Sequence, residues 1–462
     1  MEIKYTEEEL NSIDKSLLIK MFLNLQNQME TLTVETKALN DKMQKMMEQL
    51  MLANNNRFGR KTEKMSDTNQ ICFMEVDGKI VFFNEAEAVS DLDANEPEEL
   101  EINAIDEKKT AGKRAMDMEG LPVERIDHYM TEEELKEFLK SIGEKPFRGT
   151  QIFSWIYKGA KTFDDMNNIP KSLREKLEKV SYIGNIKQEL ALESKVDKCK
   201  KYLFELNDGN IVETVMMDYG DRITVCISNQ VGCRMGCKFC ASTLEGLIRN
   251  LEPWEILDQI IKVQEDTNKR VSNLVLMGSG EPLDNFENTK KFLKLVNEKN
   301  GLNIGYRHIT LSTCGVVPKM YELADLQIPI NLALSLHSPF DEERKKIMPV
   351  ANAYKVDDII KACKYYIQKT NRRVTFEYSL IKGVNDSKKE ADEIVKLLKG
   401  MLCHVNLIPI NKVEERDFER PDKTYIYKFR DMLEKNNIPA TVRISMGSDI
   451  GGACGQLRRK HK

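Results

Sequence analysis

The sequence predicts an α/β fold: a partial (β/α)6 barrel, preceded by a small helical accessory domain and, before that, a coiled-coil segment. Three observations predict it. From Arg222 onward, six apolar runs rich in β-branched residues (223–227, 274–277, 309–312, 332–336, 374–381 and 405–410) alternate with helical stretches, as parallel strands joined by helices do. Between Thr131 and residue 185, two short apolar-periodic runs are separated by Lys145-Pro146-Phe147-Arg148. Nearer the start, apolar residues recur at steps of four and three over 18–50.

Composition narrows the function classes. At 462 residues the chain exceeds one average domain, and a net charge of -4 marks no polyanion binder as a whole. No run of about 18 apolar residues is present, so no membrane span is expected. No charged, apolar, small-residue leader opens the sequence, and a cytoplasmic location with reduced cysteines is the expectation.

Taken in order, the first segment (1–56) carries a seam of Leu18, Phe22, Leu25, Met29, Leu32, Thr36, Leu39, Met43, Met46 and Leu50. Nine of these ten positions are apolar, which predicts a self-associating coiled coil or a long amphipathic helix packed on its own chain. Two strand-like runs follow, around 71–76 and 80–83. Residues 85–107 hold ten acidic and no basic side chains and read as a solvated linker. The seam, Phe58-Gly59-Arg60-Lys61-Thr62-Glu63-Lys64, the acidic stretch and Leu121-Pro122-Val123-Glu124-Arg125-Ile126 together resemble the N-terminal end of an insertion-sequence transposase. That family's zinc segment and acidic catalytic core do not follow. The resemblance therefore implies a fused fragment (57–130 with its linker) whose remaining use is assembly.

Thr131-Glu132-Glu133-Glu134 predicts a capped helix start for the accessory domain, 131–185. Eight basic against five acidic residues between Gly143 and Lys179 suit an RNA adaptor or simply a solvated face. A β extension is expected over 186–221, the barrel over 222–445 with a last short strand at 441–445, and a tail over 446–462.

The chemistry concentrates in Cys233-Arg234-Met235-Gly236-Cys237-Lys238-Phe239-Cys240, a C-x3-C-x2-C spacing. A structural zinc site takes four ligands, and no fourth Cys or His lies nearby to give the paired C-x2-C spacing such sites use. A 4Fe-4S cluster with three protein thiolates leaves one iron open. A redox-inert or zinc-binding cluster is the alternative. At the second strand's end, Met277-Gly278-Ser279-Gly280-Glu281-Pro282 lets backbone approach a ligand and offers a carboxylate to an ammonium group. Polar residues also end later strands: Ser312, Ser335-Leu336-His337 and Asn411.

These residues resemble the radical S-adenosylmethionine (SAM) enzymes, whose signature is C-x3-C-x-aromatic-C, here with Phe239. The resemblance implies a 4Fe-4S cluster on Cys233, Cys237 and Cys240, and SAM contacts at Gly280, Glu281, Ser312, Ser335, Leu336, His337 and Asn411. Cys226, seven residues before Cys233, and Cys454 in Gly-Ala-Cys-Gly further resemble the subfamily that methylates C2 of adenine in 23S rRNA and tRNA. From Thr131 to Arg459 the resemblance implies two SAM per turnover, a methyl carrier at Cys454, its partner at Cys226, and a proton acceptor at Glu213. It also implies an electron donor such as flavodoxin or ferredoxin. Adenine C2 is electron-poor and does not attack a sulfonium methyl group, which is why such chemistry takes a radical route. Three alternatives stay open: a sister subfamily acting at adenine C8, a DNA-binding or assembly protein led by the N-terminal segment, and Cys226 and Cys454 as plain buried residues. Ser279 departs from the subfamily, where Met is common, and Gly451 and Gly452 replace bulkier residues.

Overall fold

The first described strands, β1 (Phe73–Val76) and β2 (Lys79–Phe82), pair antiparallel with Phe73 opposite Phe82. This hairpin agrees with the two strand-like runs expected there. The computed structural model describes these eight residues by their backbone, and residues 130–410, 418–443 and 446–450 in detail. The chain divides into two units, 1–70 and 71–462, and every described residue lies in the second. The expected coiled coil, the acidic linker, Asn411 and Cys454 fall outside the described residues.

Thr131 caps helix α1 (Glu132–Ser141) as its sequence predicts: its hydroxyl accepts from Glu134 N, and the Glu134 carboxylate accepts from Thr131 N at 2.7 Å. Pro146 starts the next helix, α2 (Phe147–Ile156), and α3 (Lys171–Val180) completes the accessory layer. Leu135 and Leu139, Ile152 and Phe153, and Leu173 and Leu177 come at helical spacing and meet in one small core. Polar ties hold this layer to the barrel. The Tyr157 hydroxyl donates to Leu295 O, Asn300 Nδ2 donates to Glu132 at 2.7 Å, and Lys291 pairs with Glu134.

One ten-stranded sheet dominates the remainder. Its antiparallel end is built from β3 (Lys187–Glu193), β4 (Cys199–Glu205) and β5 (Ile211–Asp218). The strand β6 (Ile223–Cys226) is antiparallel to β5 and parallel to its other neighbour, β9 (Asn273–Leu276). Between them lies a short ribbon of β7 (Gln230–Gly232) and β8 (Leu247–Asn250), which the sequence pattern did not suggest. Parallel strands continue through β10 (Ile309–Thr313), β11 (Asn331–Ser335), β12 (Val374–Leu380), β13 (Cys403–Pro409) and the short β14 (Ala440–Val442). The six expected barrel strands are thus present within a residue or two of their predicted bounds. The last short strand is β14, which ends at Val442 where the apolar pattern had suggested 445.

Helices α4 (Pro253–Thr267), α5 (Phe286–Asn297), α6 (Val317–Asp325), α8 (Val356–Thr370), α9 (Lys388–Leu398) and α10 (Lys423–Glu434) connect the strands, with the short α7 (Asp341–Ile347) preceding α8. Alternation along each strand sends Val225, Leu274, Leu276, Leu332, Leu334, Phe376 and Val405 into the core that includes the helices' buried residues. The opposite face carries Val215, Cys226 and Val275, which form a separate apolar cluster. Among the described residues neither edge strand, β14 or β3, has a second neighbour in the sheet, which leaves the barrel open between them.

Candidate active site

The three-cysteine loop follows β6 and β7, at the C-terminal end of the parallel strands. Gly236 turns it with φ +70°, a conformation that disfavours any residue with a Cβ. Cys233 N donates to Gly246 O (2.9 Å), Lys238 N to Ile347 O (2.8 Å), and the Thr243 hydroxyl bonds the carbonyls of Cys237 and Cys240 (2.9 Å each). Cys233 and Cys237 are buried and Cys240 is half-buried. Burial pushes the Cys233 thiol up to about 12, and Cys240, Glu281 and Asp284 add to the effect. Cys237 is likewise pushed up, by burial and then by Cys240 and Cys233. The three thiols therefore share one electrostatic neighbourhood.

The glycine turn after β9 is stitched to this loop. Gln230 Oε1 accepts from Glu281 N at 2.9 Å, while its Nε2 donates to Asp284, which also holds Arg234. A Cβ on Gly280, where φ is +110°, would stand 2.6 Å from Gln230 Cβ, so the close approach requires glycine. Ser279 is buried, donating through its backbone N to the Ser228 hydroxyl and through its own hydroxyl to Gly232 O. The carboxylate of Glu281 is buried and accepts from Leu283 N (3.0 Å) and Cys314 N (2.7 Å). Burial raises its pKa, and the two backbone donors oppose that rise.

At the next strand ends, Ser312 and Ser335 are half-buried, whereas Leu336 and His337 are buried. Leu336 N donates to Glu377 O at 3.0 Å. His337 adopts φ +53°, and its ring lies edge-on to Phe239 of the cysteine loop, with centroids 4.6 Å apart. Its Nδ1 accepts from Ser379 N (2.9 Å), which assigns the proton to Nε2. Burial pushes the imidazole down to about 3, and Arg344 adds to that, so His337 is neutral near pH 7. Asn411 lies outside the described residues.

The antiparallel end contributes side chains from mid-strand. In register, Lys201 of β4 faces Val215 of β5, Val215 faces Cys226 of β6, and Cys226 faces Val275 of β9. Directly paired residues share a face, and Glu213, two residues from Val215, lies on it too. Lys201 Nζ and Glu213 Oε2 form a fully buried ion pair at 3.2 Å. The Ser228 hydroxyl donates to Glu213 O (2.7 Å). Glu213 and Cys226 are thereby brought together on adjacent strands. Cys454 lies outside the described residues.

Three further side chains near the site were not singled out from sequence. Cys314 is buried in one cluster with Cys237, and its thiol is pushed well up by burial and by Glu281. Arg344 is fully buried: Nε donates to Leu336 O (3.0 Å), and Nη2 to Cys314 O (2.7 Å) and Ser335 O (3.1 Å). Its Nη1 is buried with no hydrogen-bond partner among the described residues, and its charge lowers the pKa of Cys237 and Cys314 against the burial effect. Lys201 sits in a strand whose alternate positions are Cys199 and Leu203, so a lysine on an apolar face was the available signal. Arg344, in Asp-Glu-Glu-Arg-Lys-Lys, offered none.

The donor set suits an iron-sulfur cluster. Thiolates are its protein ligands, and a cube spreads three of them over three irons. The orphaned Nη1 of Arg344 places an unspent positive charge beside the loop, where a thiolate-bound cluster carries negative charge.

Comparisons with known proteins agree with this geometry. Residues 227–398 match the radical SAM superfamily, and residues 128–183 match the N-terminal domain of ribosomal RNA large subunit methyltransferases. Residues 45–126 match a family described as transposase C of IS166 homeodomain. A probable dual-specificity RNA methyltransferase RlmN of Clostridioides difficile (strain 630) is 83% identical over 332 residues, which are 72% of this chain and 97% of that protein. The corresponding protein of Alkaliphilus oremlandii (strain OhILAs) is 58% identical over 340 residues, 73% of this chain and 99% of the relative. The crystal structure of a radical SAM methyltransferase from Sphaerobacter thermophilus superposes with a TM-score of 0.68 at 42% identity, covering 71% of this chain and 97% of that one. No helix among the described residues is long and apolar enough to cross a membrane. With the cysteine loop, the glycine turn and near-complete coverage of such relatives together, the chain belongs to the RlmN family of radical SAM RNA methyltransferases.

Proposed function

We propose that the chain methylates C2 of an adenosine in 23S rRNA and in tRNA, using Cys454 as methyl carrier and two SAM per turnover. The observation that carries this reading is the shared face of Glu213 and Cys226 on the adjacent strands β5 and β6, the second of which leads toward the cysteine loop. Cys233, Cys237 and Cys240 would hold a 4Fe-4S cluster, which when bound supplies the electron that cleaves SAM. Gly280, Glu281, Ser312, Ser335, Leu336, His337 and Asn411 would hold SAM; neutral His337 adds no charge to that site. The Cys454 thiolate accepts a methyl group by displacement and later links that carbon to the base. Glu213 takes the C2 proton, with Lys201 fixing its carboxylate. Attack by the Cys226 thiolate on the Cys454 sulfur then breaks the link and closes a disulfide as the methylated base leaves.

The accessory helices contribute RNA binding in this reading, and an electron donor of the flavodoxin or ferredoxin class supplies the cluster. Residues 1–130 are a transposase-derived fragment fused ahead of the enzyme, and residues 1–56 self-associate; the transposase-family match over 45–126 supports the first part. Nucleoside mass spectrometry of RNA from a host lacking its own enzyme tests the whole. Complementation with the full chain, or with a chain starting at Thr131, restores 2-methyladenosine; 8-methyladenosine would instead assign the sister activity. By light scattering the full chain is an oligomer and the shortened chain is not, and equal masses would remove the coiled-coil part.

A further inference from the structure

A few residues past β14 the chain meets the antiparallel end of the sheet. Residues 446–450 lie on the β3–β4 connection through three hydrogen bonds. Asp449 is 3% exposed; one of its oxygens accepts from the Ser194 hydroxyl at 2.7 Å, and the other from Lys195 N at 2.9 Å. Gly447 N donates to Asp197 Oδ2 at 2.8 Å. Gly447 holds φ +65°, and a Cβ there would meet Cys199 Sγ at 3.2 Å, so the segment lies close against β4. Ser194 is spent three ways, since its hydroxyl also accepts from Val196 N and Asp197 N. Ile450, 2% exposed, completes the apolar cluster that contains Cys226, Val215 and Val275.

A carboxylate is seldom buried without donors aimed at it, and here each oxygen has one. The product of this arrangement is a fixed end point: Ile450 is pinned in the cluster of Cys226, four residues before Cys454. Four residues of extended chain span at most about 14 Å. The covalent chain therefore limits how far Cys454 can stand from an anchor that already shares a cluster with Cys226.

We infer that Asp449 and Ser194 are positioning residues: they clasp the base of the C-terminal segment and hold Cys454 at high effective concentration to Cys226. The inference rests on the proposed roles of those two cysteines. It is tested on the cluster-loaded enzyme, equilibrated without oxygen in graded mixtures of glutathione and glutathione disulfide. As Cys226 and Cys454 lose two electrons and two protons to form their disulfide, one glutathione disulfide is reduced to two glutathione thiols. The disulfide fraction is read by non-reducing peptide mapping after acid quench. With the clasp released in Asp449→Asn, the equilibrium shifts against the disulfide by about tenfold or more, as expected when a short tether lengthens. Ser194→Ala, a milder change, shifts it in the same direction by less, and both variants keep their iron. Unchanged equilibria in two iron-loaded variants overturn the clasp. A wild-type enzyme that forms no Cys226–Cys454 disulfide at any ratio overturns the cysteine roles themselves, and the clasp's purpose with them.

Discussion

The two ends of the ten-stranded sheet present their functional groups in different ways. At the parallel end, they stand in turns just beyond the strands: the cysteine loop, the Gly280-Glu281 turn and the Ser335-Leu336-His337 corner, all stitched by backbone hydrogen bonds. At the antiparallel end, Lys201, Glu213 and Cys226 stand within strands, and cross-strand register alone sets their spacing. Turns let backbone donors and glycines wrap a ligand, which suits holding a cluster and SAM. Strands hold side chains in fixed relation, which suits moving a proton and exchanging thiols between set positions. In the proposed reading, one sheet separates binding from transfer by changing strand direction at β6.

The largest effect is expected at the parallel end. Replacing any one of Cys233, Cys237 or Cys240 with Ala removes one of three thiolates and should abolish iron retention and SAM cleavage together. Iron analysis and the yield of 5'-deoxyadenosine measure both. Wild-type values in all three variants would remove the parallel end from the cofactor chemistry altogether.

At the antiparallel end, loss of function should come in an ordered way. Cys226→Ala leaves the cluster intact and allows Cys454 to be methylated and joined to RNA, then stalls before release, so enzyme purified from cells carries crosslinked RNA. Cys454→Ala gives no crosslink, since no carbon bridge can form. Denaturing gels with and without RNase distinguish the two. An RNase-sensitive crosslink in Cys454→Ala, or turnover by Cys226→Ala at the wild-type rate, would exchange or dissolve these roles while leaving the parallel end as described.

Legibility in the sequence follows the same division. The turns were readable because their chemistry is local: three cysteines in eight residues, two glycines before a glutamate, and a capping box at Thr131 whose hydrogen bonds are made within four residues. The barrel strands were readable because burial on both faces leaves continuous apolar runs. Arg344 was not, since a charged helical Asp-Glu-Glu-Arg-Lys-Lys looks solvated and only the approach of Cys314 and Ser335 from other strands buries it. The Lys201–Glu213 pair depends on the register of β4 against β5, and the contact between Cys314 and Glu281 on that of β10 beside β9. Such pairings join residues distant in sequence, and no local pattern encodes them. The ribbon of β7 and β8 escaped notice because three or four residues are too few to show an alternation.

The smallest expected effect lies where the accessory layer meets the barrel, away from either end's chemistry. Asp258 of α4 is buried and accepts from Ile186 N at 2.7 Å, just before β3. Burial raises its pKa to about 6, while Lys262 and the Ile186 hydrogen bond oppose the rise. Between the ordinary carboxyl value and about pH 6 the folded chain therefore holds a proton that the unfolded chain has released. Stability from this group is fully present below the unfolded value and declines as pH rises through about 6. Asp258→Asn keeps an acceptor for Ile186 N and has no proton to lose, and Lys262 retains Glu265 as a partner at 3.1 Å. The variant's stability relative to wild type should therefore grow by roughly 1 kcal/mol between pH 5 and pH 7.5, a rise of about 1–3 °C in the difference between melting temperatures. Thermal unfolding of the two proteins at both pH values measures it. A difference that stays constant with pH would mean that Asp258 does not exchange its proton on folding, and that this junction is held by hydrogen bonds to a carboxylate that remains charged.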